Sequence, residues 1–172
     1  MVLIDENTKI LNDDDIEFLN KKCNNFILSE SPILDNNKNN NFYFRQLIDL
    51  KDPLVHNIII ELESYVKYKS HTNLELKKLW INKIDVNSNR DDIFHIDDSD
   101  YSFILYLNDD YIGGELEYKD DILNTIKITP KKNLIILMDN KPQHRVLPVI
   151  NGVRYSLVAF FRFINNSTKS LI

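Results

Sequence analysis

The chain has 172 residues, enough for one compact domain and short for two. Its 43% apolar and 27% charged residues exclude wholesale disorder. A net charge of −5 argues against a dedicated nucleic-acid binder, the single cysteine excludes a disulfide framework or cysteine-based zinc finger, and three glycines leave no Gly-rich phosphate loop.

In chain order, the opening residues Met1 to Glu6 lack a basic region followed by a long apolar core, so they are not read as a secretory signal. No apolar run approaches the roughly 18 residues of a membrane helix, and a cytoplasmic chain without a membrane partner is expected. Asn12 and Asp13 can cap a first helix whose apolar positions Ile16, Leu19, Cys23, Phe26 and Ile27 recur three or four apart, with Pro32 as its stop. Asp35 to Asn41, nearly pure Asn and Asp, reads as a surface loop, and with Phe42, Tyr43 and Phe44 as a candidate lid. Asp52 (cap) and Pro53 (first turn) start a second helix carrying Val55, Ile58, Ile59, Leu62 and Tyr65 on one stripe to about Ser70.

From Leu74 the period shortens from about four to two. Strands are expected over Leu76–Val86, Tyr101–Asn108, Glu115–Tyr118, Thr125–Thr129, Asn133–Met138 and Val153–Phe163. Helices followed by antiparallel strands predict a mainly β fold, a sandwich or barrel with helices packed outside it. Nothing marks a linker, so 1–172 reads as one domain, with helical support over 1–73, a β-core over 74–164 and a frayed tail after it.

Four histidines make their placement informative. His95 and Asp97 are two apart, so in an extended segment their side chains leave the same face and can converge on one ion. With His144 they supply two imidazoles and one carboxylate, the ligand set of non-haem Fe(II) oxygenases. By spacing alone, the same pattern fits a surface histidine beside acidic residues. Downstream, Arg154 and Ser156 share one face of a strand, and a buried Arg there would need an anion, whose carboxylate geometry its planar fork suits. Tyr106, on the face of Ser102 and Ile104, could donate a second hydrogen bond to that carboxylate.

These pieces fall in a familiar order: His95-Ile96-Asp97, Leu105-Tyr106-Leu107-Asn108, Gly113-Gly114-Glu115-Leu116, Pro130 with Asn133-Leu134-Ile135, His144-Arg145-Val146-Leu147-Pro148, and Arg154-Tyr155-Ser156. In this order they resemble the 2-oxoglutarate- and Fe(II)-dependent dioxygenases, prolyl 4-hydroxylase-like branch, closely over roughly 76–164 and in outline before that. The resemblance implies a double-stranded β-helix (jelly-roll) core flanked by two or three α-helices. It implies His95, Asp97 and His144 as Fe(II) ligands, Arg154 on the distal carboxylate of 2-oxoglutarate with Tyr106 and Ser156 assisting, and ascorbate as an accompanying reductant. O₂ and 2-oxoglutarate would be consumed, succinate and CO₂ released, and a substrate C–H hydroxylated. A prolyl residue of a protein or peptide is the expected target, and a free amino acid or other small molecule the alternative.

Two departures stand out. Many prolyl hydroxylases carry a Tyr shortly before the H-x-D motif, where this chain reads Asn82-Lys83-Ile84-Asp85-Val86, so Asn82 is a candidate replacement. The cosubstrate cation is Arg154, where some relatives use Lys. Phe160 stands where nucleic-acid dealkylases carry a second Arg, and Asp97 stands where halogenases lack the carboxylate. A metal-binding, non-catalytic cupin-like module is the remaining alternative. His56 and His71 read as helix-surface or capping residues, Trp80 as packing, Cys23 as an inert core residue and Arg145 as solvated. Asp91, Asp92, Asp98, Asp100, Asp109 and Asp110 read as an acidic rim, steering substrate or only aiding solubility.

Overall fold

The central strands, such as Tyr101–Tyr106 and Ile135–Asp139, are near-continuous apolar runs rather than alternating ones, so both faces of the sheet they build must be covered. The computed structural model describes residues 1–24, 43–47, 51–88 and 93–164. In chain order the elements are β1 (Val2–Asp5), α1 (Asp13–Asn24), β2 (Tyr43–Gln46), α2 (Pro53–Ser70), β3 (Leu74–Asp85) and β4 (Tyr101–Tyr106). They continue with β5 (Ile112–Gly113), β6 (Leu116–Lys119), β7 (Thr125–Ile128), β8 (Ile135–Asp139), β9 (His144–Val146), β10 (Val149–Asn151) and β11 (Val153–Phe163). The larger antiparallel sheet has the order β1-β8-β4-β11-β3-β2; β7-β6-β9 form a second sheet, and β10 pairs with β5. This is a double-stranded β-helix, a jelly roll with helices against one side, as expected.

Two cores lie on the two faces of the larger sheet. On one, Leu79, Phe103, Leu137 and Leu157 pack with Ile16 and Leu19 of α1 and Val55, Ile58 and Leu62 of α2. On the other, Ile104, Ile136 and Val158 pack with Leu116 and Ile128 of the second sheet, closing the barrel interior. The inward row along β11 therefore begins with Arg154 and Ser156 before it turns apolar at Val158, which opens one end of the barrel to polar chemistry. Among the described residues no helix is long and apolar enough to cross a membrane.

The caps follow the sequence. Asn12 accepts from the Asp15 amide at 2.8 Å while Asp15 accepts from the Asn12 amide at 3.1 Å, a reciprocal cap for α1. Asp52 accepts from the Leu54 amide ahead of Pro53, and His71 ends α2 in the left-handed region. Five strands were not expected. β5, β9 and β10 are two or three residues long and crowded by Gly and Pro, too short to show a period. β1 takes its identity from its pairing with β8, over 130 residues away, which no local pattern reveals. β4 stops at Tyr106 rather than Asn108, because Asn108 turns its side chain to β11, donating to Val153 O and accepting from the Tyr155 amide. Phe26, Ile27, Pro32, the Asp35–Phe42 segment, Asp91, Asp92 and the C-terminal tail lie outside the described residues, as does the side chain of Cys23.

Asp5 locks β1 to α2. Its buried carboxylate accepts from the Asn7 and Thr8 amides, the Thr8 hydroxyl and the Tyr65 hydroxyl, and pairs with Lys69 at 3.0 Å. Burial works to raise its pKa, but these donors and Lys69 outweigh it and hold the carboxyl well below the usual range. Since the folded pKa lies below the unfolded one, the stabilisation is fully present at neutral pH and is lost as pH falls below about 4. Asp5→Ala is expected to cost about 3 kcal/mol at pH 7 and distinctly less at pH 3, measured by urea unfolding.

Candidate active site

The H-x-D segment and β9 are brought together by the backbone. His95 and His144 exchange amide–carbonyl hydrogen bonds at 3.0 and 2.9 Å, an isolated bridge that sets the two imidazoles 4.6 Å apart, centroid to centroid. Each ring has its Nδ1 by the carbonyl two residues earlier: Ile93 O at 3.1 Å for His95, Pro142 O at 3.3 Å for His144. With Nδ1 donating there, Nε2 of each ring carries the free lone pair. Asp97 completes the group, its Oδ1 3.7 Å from His95 Nε2 and its Oδ2 3.4 Å from His144 Nε2. One donor atom from each residue lies within 4.8 Å of the others, so the three could hold one metal ion.

Asp97 is oriented by a residue that sequence reading missed. The Ser102 hydroxyl donates to Asp97 Oδ2 at 2.6 Å and meets the Ser99 hydroxyl at 2.8 Å. Ser102 is the first inward position of β4, and its place in the alternation with Ile104 and Tyr106 could have pointed to it. Burial works to raise the Asp97 pKa, but the contacts with His144 and the Ser102 hydroxyl prevail and hold the carboxyl below its ordinary value. Asp97 thus brings a negative charge to the two imidazoles.

Arg145, next to His144, is not the solvated residue expected. Its guanidinium pairs with the buried Glu117 at 2.7 Å and lies 4.6 Å from the Phe94 ring centroid, so Phe94, and with it the start of the H-x-D segment, is clamped to the second sheet. Register explains the pairing, since Glu117 sits opposite Arg145 just as Tyr118 sits opposite His144. The acidic rim is partly engaged in structure. Asp98 is highly exposed, turned from Asp97 and bound to Arg162, and Asp100 also pairs with Arg162 at 3.7 Å. Asp109 accepts from the Lys132 amide and Asp110 from Asn108.

Deeper along the inner face lies a second polar group. β11 places Ser156 beside Tyr106 of β4 and Asn82 of β3, with Arg154 one inward position away. Arg154 is 1% exposed, yet its Nε and Nη1 have no hydrogen-bond partner among the described residues, nor do the Tyr106 and Tyr111 hydroxyls or Ser156 Oγ. The guanidinium lies over the Tyr106 ring, 4.9 Å from its centroid. Burial raises both phenol pKa values, with Arg154 opposing, so both tyrosines keep their protons and remain donors. Asn82 is buried and accepts from Trp80 Nε1 at 2.6 Å, while Trp80 packs edge-on against Phe160 at 4.8 Å. Unpaired buried donors around a cation are costly unless an anion meets them, and a carboxylate fits this set.

Residues 80–162 match the family model described as the 2OG-Fe(II) oxygenase superfamily. The fold is similar to that of a prolyl-4-hydroxylase from Pseudomonas putida, with a TM-score of 0.72 at 16% identity over 95% of this chain and 92% of that one. It is similar to a prolyl hydroxylase from Trichoplax adhaerens bound to a hypoxia inducible factor peptide, with a TM-score of 0.67 at 19% identity over 93% and 82% of the two chains. It is equally similar to SnoK, an alpha-ketoglutarate-dependent carbocyclase of nogalamycin biosynthesis, with a TM-score of 0.74 at 10% identity over 93% and 78%. No curated protein matches the sequence.

Proposed function

We infer, from a β-core that belongs to the 2OG-Fe(II) oxygenase superfamily, that His95, Asp97 and His144 bind Fe(II) and that Arg154, Tyr106 and Ser156 bind the distal carboxylate of 2-oxoglutarate. The observation that carries this is the buried Arg154, whose Nε and Nη1 have no partner among the described residues, beside three hydroxyls in the same condition and in the same barrel as the histidine–aspartate cluster. Fe(II) held there supplies activation of O₂ coupled to oxidative decarboxylation of the cosubstrate, so that R–H, O₂ and 2-oxoglutarate give R–OH, succinate and CO₂.

The chain's own residues have the positioning work. Backbone carbonyls of Ile93 and Pro142 keep both imidazoles in the tautomer that presents Nε2, and Ser102 holds Asp97 in line with them. Arg154 fixes the cosubstrate at its far end with a bidentate fork. Ile104, Ile136 and Val158 make the barrel interior between the sheets apolar.

The target is proposed to be a prolyl residue in a peptide, on the order of the sequence motifs and the likeness to prolyl hydroxylases. The likeness to a carbocyclase supports a second reading, a free amino acid or other small molecule. A screen of the Fe(II)-loaded protein against proline-containing peptides and free amino acids, read as a mass gain of one oxygen, separates them. Oxygen on proline within a peptide is the expected result, and oxygen appearing only on small molecules would move the assignment to the second reading.

A further inference from the structure

The chain's three glycines, Gly113, Gly114 and Gly152, all have positive φ and gather at one place. Two of them enclose Tyr111. A Cβ on Gly152, at φ +81°, would stand 2.9 Å from Tyr111 Cβ and 3.0 Å from Asp110 O. A Cβ on Gly114, at φ +69°, would stand 3.3 Å from Tyr111 Cε2 and 3.1 Å from Arg154 Cδ. In a chain so poor in glycine, both positions make room for one aromatic ring and for the arginine beside it. The ring ends in a hydroxyl that is fully enclosed and has no hydrogen-bond partner among the described residues, the same condition as the Tyr106 hydroxyl and Arg154 Nε and Nη1. The positive charge of Arg154 acts on the ionisation of both phenols, which places the two hydroxyls in one electrostatic neighbourhood.

We propose that Tyr111 is a third anchor for the cosubstrate's distal carboxylate, its ring seated between Gly152 and Gly114 so that its hydroxyl donates to the anion held by Arg154 and Tyr106. The assignment rests on the cosubstrate reading above and adds a residue to it. A hydroxyl that only filled space would be better replaced by hydrogen in this pocket, because a buried donor without an acceptor destabilises the fold. Tyr111→Phe therefore separates the two roles by ligand binding, which only an anchoring hydroxyl would weaken. The ligand-free protein keeps or raises its unfolding midpoint, while binding of the dicarboxylate weakens.

The test is calorimetric titration of Mn(II)-loaded wild type, Tyr111→Phe and Arg154→Ala, anaerobically, with 2-oxoglutarate and with 2-oxopentanoate, which has the same carbon chain without the distal carboxylate. Tyr111→Phe is expected to weaken 2-oxoglutarate about 5- to 30-fold, the loss of one hydrogen bond to a charged group, and to leave 2-oxopentanoate unchanged. Equal weakening of both ligands would make Tyr111 a packing residue, and a lowered midpoint of the ligand-free protein would mean that its hydroxyl serves the fold through a hydrogen bond of its own; either result would overturn the proposal. Unchanged 2-oxoglutarate affinity in Tyr111→Phe alongside its loss in Arg154→Ala would overturn the proposal and leave the cosubstrate reading standing. Unchanged affinity in both variants would overturn that reading too.

Discussion

Asp97→Ala is expected to abolish Fe(II) binding at neutral pH and to lower succinate formation by more than the roughly 10- to 100-fold that follows loss of a residue merely supporting a metal ligand. The carboxylate is the only negative group in the cluster, and two neutral imidazoles alone bind a divalent ion far less well. The barrel should survive the change, because Asp97 belongs to neither apolar core, and Ser102 keeps Ser99 as a hydrogen-bond partner. His95→Ala and His144→Ala should match it in activity. His144→Ala should also unfold at a lower temperature, since His144 is buried on β9 and His95 is exposed. Metal content by mass spectrometry with thermal unfolding checks each variant, and near-normal turnover in any of them would remove that residue from the ligand set.

Arg154→Ala is the second large effect. On the proposed assignment, removing the guanidinium is expected to leave the cosubstrate's distal carboxylate with no charge partner in an enclosed pocket, a loss of roughly 2–5 kcal/mol, or about 30-fold to several thousand-fold in affinity. Arg154→Lys should fall between, as a point charge replaces a planar fork. Tyr106→Phe should cost on the order of 1–2 kcal/mol. The order of effects carries the argument: the arginine first, a single hydroxyl well behind. The half-saturating 2-oxoglutarate concentration of each variant measures it, and an unchanged value in Arg154→Ala would point to another anchor.

Much of this site is legible in the sequence because its geometry is local. His95 and Asp97 converge through the two-residue period of an extended segment, and Arg154 and Ser156 share a face of β11 for the same reason. Asp52 and Pro53 start α2 where the capping chemistry puts them. What the sequence hides is whatever depends on register between distant strands. Glu117 neutralises Arg145 only because β6 and β9 pair with those residues opposite each other. Ser102 reaches Asp97, and Arg162 reaches Asp98, across a loop whose path no periodicity encodes. Tyr111 was missed for a related reason. It sits in a turn, where alternation says nothing about direction, and its only sequence signal was its place just ahead of a glycine pair in a chain with three glycines.

The histidine–aspartate cluster and the Arg154 pocket are proposed to act as one binding unit for a metal and a dicarboxylate. Anaerobic calorimetric titration of 2-oxoglutarate into the wild-type protein, with and without Fe(II), tests it most directly. One equivalent is expected to bind tightly only when Fe(II) is present, with binding lost in Asp97→Ala and sharply weakened in Arg154→Ala. Equal binding with and without Fe(II), or no binding in either case, would contradict it.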